Sequence, residues 1–194
     1  MPALVPPVVA AGRMRDVPQP TLRAGGLQLR PWGPGDAPGF AGAFCDGEIR
    51  RWHVNVVEDE DEALEWIEGW QAGWVQERGA SWAVVDVGAA ALFGLVALRD
   101  IDMTAGQAEC SYWVLPEARG RGVATEALAR MAGWAFDDLG LHRLTLVHCV
   151  ENLRSCRVAA KAGFALEGTG RSAQLLADGW HDVHLHARLS GDHR

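Results

Sequence analysis

The chain has 194 residues, 48% of them hydrophobic, and a formal net charge of −7. That length fits one domain with a sizeable core, and the hydrophobic fraction excludes general disorder. The acidic balance argues against a nucleic-acid partner, which needs a basic face.

Residues 1–20 carry five of the nine prolines and are expected to form an extended or flexible arm. Their apolar run is short, broken by proline and without a charged leader, so it reads neither as a signal peptide nor as a membrane span. The domain proper is expected over 21–189, with 190–194 as a tail. Leu22 to Arg30 holds Gly25-Gly26 and reads as a tight hairpin or bent strand. Asp36 is placed to cap a short helix through Phe40 and Phe44. A longer helix is expected over about 59–77, opening on the acidic run Glu58 to Glu62, where negative charge suits the helix N-terminus. Trp66, Trp70 and Trp74 recur at i, i+4 and i+8 and share one face of it. Such a stripe is either core or part of an aromatic wall for a cationic ligand.

Ser81–Val87 and Ala91–Leu98 read as an antiparallel pair, followed by a strand from Ala108 to Leu115. Pro116 stops that strand, and Arg119-Gly120-Arg121-Gly122 opens an amphipathic helix, expected over 118–139, with Gly140 as its left-handed terminator. Arg143–Val150 reads as a strand and Ser155–Ala162 as a short helix. Residues 165–172 and 181–189 read as a closing pair around Asp178-Gly179. The order describes an α+β or mixed α/β layer protein, with a strand–helix–strand unit set among hairpins.

The turn at 119–122 carries the chemistry. The first amides of a helix have no internal acceptor, and with the macrodipole they form an anion site. Two glycines let a ligand approach the backbone closely. Arg119 and Arg121 add charge suited to phosphate. No Gly-Lys-Ser/Thr follows, which excludes the P-loop, and the dinucleotide G-x-G-x-x-G pattern also fails. Cys45, Cys110, Cys149 and Cys156 form neither a C-x-x-C pair nor zinc spacing, so they read as thiols of a reducing, cytoplasmic compartment. His184 and His186 alternate with Asp182 on the last strand, a pattern that a solvated strand face also gives, and no metal is expected.

Arg119-x-x-Gly122-x-Ala124 resembles the coenzyme A pyrophosphate loop of the GNAT superfamily of acyl-CoA-dependent N-acyltransferases. Its flanks, Glu109-Cys-Ser-Tyr-Trp before it and Asn152-Leu-Arg-Ser155 with Lys161-Ala-Gly-Phe164 after it, are similar to the ribosomal-protein N-terminal acetyltransferase (RimJ/RimL-like) branch. The resemblance covers roughly 21–189. It implies a central mixed, mostly antiparallel twisted sheet, splayed at the coenzyme A site and flanked by about four helices. It implies acetyl-CoA as co-substrate, held by the backbone of Trp113 and Val114, by Arg119, Gly120, Arg121, Gly122, Val123, Ala124 and Thr125, and by Asn152 and Ser155. It implies direct attack by a primary amine, either a protein N-terminal α-amine or a small molecule. Glu109 is the leading base candidate, with His148 behind it, and Ser155 is either a helix cap or a proton donor to the coenzyme A sulfur. The family usually places a tyrosine near this point, and this chain has none after Tyr112. A larger acyl group such as succinyl and a non-catalytic acyl-CoA-binding module stay open at this stage. No membrane partner is implied, and a homodimer is compatible with the family pattern.

Overall fold

The structure, a computed structural model, describes residues 4–192. Eight strands form one sheet in the order β1-β2-β3-β4-β5-β6-β8-β7. They are β1 Leu22–Ala24, β2 Leu27–Pro31, β3 Ala80–Asp86, β4 Leu92–Asp102, β5 Gln107–Val114, β6 Arg143–Cys149, β7 Ala165–Leu176 and β8 Gly179–Leu189. Every neighbouring pair is antiparallel except β5–β6. Parallel strands need a long crossover, and α4 (Val123–Trp134), extended by a π-helical turn over Ala135–Leu139, supplies it.

Helices cover both faces, so the central strands are apolar on both sides, as in a doubly covered sheet. In β4, Val96 and Leu98 join one core with Leu128 and Met131 of α4, while Leu95 and Ala97 join the other. The second core is roofed by α1 (Ala37–Ala43), α2 (Gly47–Arg51) and α3 (Glu60–Val75). With α5 (Leu153–Lys161), the described residues hold five α-helices rather than about four. The addition is α2, five residues too short to show periodicity, held by Asp46 Oδ1 accepting from Ile49 N at 2.9 Å. No helix among the described residues is long and apolar enough to cross a membrane.

One boundary and one cap depart from the sequence expectation. The helix expected from 118 begins at Val123, because Gly120 and Gly122 both take left-handed φ values, +75° and +82°. Its end is as read, with Gly140 at φ +92°. Asp36 does precede α1, but its carboxylate makes no cap; it accepts from both Arg30 guanidinium nitrogens and from Gly33 N.

The amino-terminal segment is docked rather than free. Val8 and Val9 donate to Thr104 O and Met103 O beside β4, and Met14 is fully buried. Glu77 stands behind this attachment. It follows α3 in the left-handed region (φ +58°), and its carboxylate accepts from Gly12 N and Met14 N at 2.8–2.9 Å. Trp74 and Trp82 donate their indole N–H groups to Val17 O and Pro20 O. Proline content signals an extended chain, but it does not reveal acceptors and donors that lie sixty residues away. The tail residues 193–194 lie outside the described residues.

Replacing Glu77 with Gln or Ala removes a charged acceptor from one buried and one part-buried backbone donor and is expected to lower stability by about 1–3 kcal/mol, read by urea denaturation. Burial pushes the Glu77 carboxyl up, but donation from Met14 N and Gly12 N outweighs it and holds the group below the usual range. The stabilisation is therefore complete above the unfolded carboxyl value, near pH ~4.3, and is lost as pH falls through the lower folded value. The stability gap between wild type and Glu77→Gln should close on acidification; a gap that persists at the lowest pH rules this role out.

Candidate functional site

Strands β5 and β6 run parallel only from Gln107↔Arg143 to Cys110↔Leu146. Beyond that point each stays with its other neighbour: β5 with β4 up to Val114↔Gly94, and β6 with β8 up to Cys149↔Val183. The sheet therefore opens along a seam in its middle. Leu115 N donates to Phe93 O, so ladder alternation gives the odd-numbered backbone groups of β5 to β4 and turns the amides of Tyr112 and Val114 into the seam. Trp113, expected to offer backbone contacts, is on the wrong phase for that. Its backbone pairs with Leu95, and its ring is buried against Trp32 and Phe40.

Two cavities meet at the seam. One, of about 690 Å³, runs past Val114, Arg119, Gly120, Gly122, Val123, Ala124 and Thr125 towards α5. The amides of Gly120 to Gly122 make no backbone hydrogen bond of good geometry among the described residues, and Val123 to Thr125 open a helix, whose first N–H groups lack an internal acceptor. A Cβ at Gly120 or Gly122 would meet no atom within 4 Å, so packing does not demand glycine there; the positive φ and the open cradle do. The side chain of Arg119 does not point into that cradle. Its Nε donates to Val114 O at 3.1 Å and its NH2 to Asp46 Oδ1 at 2.5 Å, fastening the loop to the end of β5 and to the start of α2. This pairing holds the Asp46 carboxyl below its usual range. Arg121 is half exposed, stacked over Phe93 at 4.6 Å and 3.9 Å from Asp86.

The sequence reading missed three basic side chains. Arg154, Arg157 and Lys161 line the same cavity. Their i, i+3, i+7 spacing on α5 puts them on one face, and that spacing was the available signal. Asn152 caps α5, its Oδ1 accepting from Ser155 N at 3.1 Å, so the cap is Asn152 and not Ser155. Asn152 and Ser155 line both cavities.

The second cavity, about 490 Å³, lies on the α3 side of the seam. Phe40, Phe44, Trp66 and Trp70 form an aromatic wall there. The tryptophan stripe thus divides: Trp66 and Trp70 face the cavity, while Trp74 belongs to the opposite core. Glu109 lines this cavity with Arg99, which contacts its Oε1, and with Arg78 and Asp100. His53 lines both cavities; burial holds its imidazole below the usual range, and Nδ1 faces Ile49 O at 2.6 Å. His148 reaches the cavity edge, its Nδ1 2.8 Å from Cys149 O and its Nε2 3.2 Å from His186 Nε2.

Tyr112, the single tyrosine, was read only as strand. The structure carries its hydroxyl across the seam to within 3.4 Å of Ser155 O. Burial pushes that hydroxyl up to about 12. It therefore stays protonated at neutral pH and is a permanent hydrogen-bond donor at the junction of the two cavities.

The acetyltransferase (GNAT) domain family matches residues 26–165, most of the chain. The uncharacterized N-acetyltransferase YoaA of Bacillus subtilis is 28% identical over 153 residues, 78% of this chain and 86% of that protein. The ribosomal-protein-serine acetyltransferase of Escherichia coli is 32% identical over 98 residues, 50% of this chain; the match spans about half of that relative, 55%. RimL, a ribosomal L7/L12 α-N-protein acetyltransferase solved in complex with coenzyme A, shares the fold with a TM-score of 0.82. It has 18% identity, with 88% of this chain and 98% of that chain covered. The chain belongs to the GNAT acetyltransferase family and is an acyl-CoA-dependent N-acetyltransferase.

A double-mutant cycle over Asp46→Asn and Arg119→Gln is expected to return a coupling of about 1 kcal/mol, as for a partly exposed charge-assisted pair. Additive losses in chemical denaturation would show that the two side chains act separately.

Proposed function

We propose that this acetyltransferase moves an acetyl group from acetyl-CoA to the α-amine of a polypeptide N-terminus, through a direct ternary complex. The observation that carries the reading is the seam. It joins a cradle of unmet amides and a basic helix face on one side to an aromatic chamber with a carboxylate on the other.

The pyrophosphate is held by the amides of Gly120 to Thr125, with Arg154, Arg157 and Lys161 suited to the remaining phosphate charge. The pantetheine lies in the seam as an added strand, meeting the backbone of Tyr112 and Val114. The thioester then sits between Glu109 on one face of the sheet and Tyr112 with Ser155 on the other. An acceptor ammonium, near pKa ~10, loses a proton to Glu109 directly or through water. The neutral nitrogen attacks the carbonyl carbon and an N–C bond forms; as the C–S bond breaks and the sulfur leaves as thiolate, the nitrogen passes its second proton to water, leaving a neutral amide. A tyrosine O–H at about 12 is a weaker acid than a thiol, so Tyr112 does not surrender its proton. It stabilises the thiolate by hydrogen bonding, as does the Ser155 hydroxyl, and the thiolate takes its proton from water.

The choice of acceptor rests on charge. Arg78 and Arg99 line the chamber together with Glu109 and Asp100. A polycation such as a polyamine meets two arginines there, whereas a peptide brings one ammonium for the carboxylates and carbonyl oxygens for the guanidinium groups.

Calorimetric titration is expected to show acetyl-CoA binding that Gly122→Asp abolishes, since a carboxylate then occupies the anion cradle at a positive φ. Gly122→Ala should be milder, with a strain of about 1–2 kcal/mol. A folded wild type that does not bind acetyl-CoA overturns the reading. Glu109→Gln should keep acetyl-CoA binding and lower kcat by about 10²–10⁴-fold in a thiol-release assay. Peptides with free N-termini should outperform spermidine; the reverse order refutes the acceptor assignment.

A further inference from the structure

On the α5 side of the sheet, outside the lining of the two cavities except for His148, three histidines and a cysteine converge. His148 on β6 lies directly opposite His184 on β8, His186 is one pleat further along the same face, and Cys156 descends from α5. One potential ligand atom from each of the four lies within 4.8 Å of all the others. His148 and His186 are buried.

The hydrogen bonds of the two buried rings set their tautomers. His148 Nδ1 is 2.8 Å from Cys149 O, and His186 Nδ1 is 3.4 Å from Phe164 O. A carbonyl oxygen can only accept, so the nitrogen facing it is the protonated one. Both rings therefore turn an unprotonated Nε2 towards the other, and these two atoms are 3.2 Å apart. Two lone pairs facing each other at that distance repel unless a cation or a proton lies between them. Two nitrogens on one tetrahedral zinc, at Zn–N of 2.0–2.1 Å, stand about 3.3 Å apart. Nδ1–H donation to a backbone carbonyl is also the usual outer support of a metal-bound imidazole. His184 adds a second, independent sign: its Nδ1 is buried without a hydrogen-bond partner among the described residues. A buried polar atom left unmet is costly and calls for a ligand.

We propose that His148, Cys156, His184 and His186 form a tetrahedral site for a divalent cation of the zinc class, which ties β6, β8 and α5 together. Three imidazoles and one thiolate are a closed, borderline-soft donor set that selects Zn²⁺ over oxygen-seeking Mg²⁺ or Ca²⁺. With no coordination position left for water, the site is structural, and it is independent of the acceptor assignment above. The sequence reading set metal aside because it weighed one strand at a time; the four donors come from three elements.

The test uses the untagged full chain, stripped with a chelator and titrated with Zn²⁺ and, separately, Co²⁺. One equivalent should bind. Co²⁺ should give the intense visible bands of a tetrahedral ion together with a near-ultraviolet thiolate charge-transfer band. Zn²⁺ should raise Tm, because an ion that binds only the folded state stabilises it. Cys156→Ser should remove the charge-transfer band, and Cys156→Ser and His184→Gln should each weaken Zn²⁺ at least about tenfold. Both positions are only partly buried, and circular dichroism of the metal-free variants checks their folding. His181→Ala alters a separate Cys149–Glu151–His181 group and should change nothing. Absence of Co²⁺ bands, which would mean a shared proton only, overturns the proposal. So does uptake that survives the Cys156 and His184 variants or disappears with His181.

Discussion

The seam between β5 and β6 is the constraint from which the rest of the molecule follows. The central strands of this sheet are buried on both faces and have little tolerance for unmet backbone groups, yet the sheet parts after Cys110↔Leu146 and leaves the Tyr112 and Val114 amides without a strand partner. The opening is enforced from both sides. β5 is registered to β4 continuously from Glu109 to Val114 and β6 to β8 over its whole length, so neither strand can swing across to close it. An extended ligand with its own amides completes the ladder and recovers the hydrogen bonds that the protein forgoes. In the proposed mechanism the same opening is the passage by which groups on opposite faces of one sheet, Glu109 and Tyr112, reach a single reacting centre.

Around the seam, charge is divided between holding and binding. Arg119 is the arginine that most suggests a phosphate contact, yet its guanidinium is committed to Val114 O and Asp46. What it secures is the path of the chain into two left-handed glycines, and that path decides where the amides of 120–125 point. In the proposed complex, phosphate recognition then falls to backbone dipoles and to the face of α5 that lines the cavity. Removal of Arg119 and removal of Lys161 should therefore be felt differently: the first disturbs the shape of the cradle, the second its field.

The legible parts of the sequence were those whose signals are local. Hairpins announced by Gly25-Gly26 and Asp178-Gly179, the proline stop after Leu115, the glycines at 120 and 122 and the terminator Gly140 all lie where the chain pattern put them. The illegible parts depend on partners distant in sequence. Nothing near residues 8–20 announces that Glu77 waits in a left-handed turn to receive Gly12 and Met14. Nothing in a strand reading of Tyr112 brings its hydroxyl to a helix forty-three residues later. The phase of β5 is intermediate: alternation was visible, but which parity faces the seam depends on the register with β4, which turns the backbone of Trp113 to β4 and that of its neighbours to the seam. The tryptophan stripe divides for a similar reason, because α3 spans the boundary between chamber and core.

Helix α5 joins these threads. Its cap, Asn152, lies at the seam, and its Arg154, Arg157 and Lys161 face the cofactor cavity. Cys156 is roughly opposite that basic stripe on the helical wheel and faces the histidines of β6 and β8. Nine residues thus turn a basic face to the cofactor cavity on one side and pack on the sheet on the other. A cation held as proposed by Cys156 and three imidazoles would fix the height and rotation of α5, and the same two coordinates would set the distance of its basic face from the phosphates. The two ligands do not touch, so any influence of one on the other passes through the position of this helix. Thermodynamic linkage requires that influence to be mutual: whatever factor the cation contributes to acetyl-CoA affinity, acetyl-CoA returns to the affinity for the cation. The short helix that looks like a mere connector between β6 and β7 is in this respect the part of the fold on which both binding events bear.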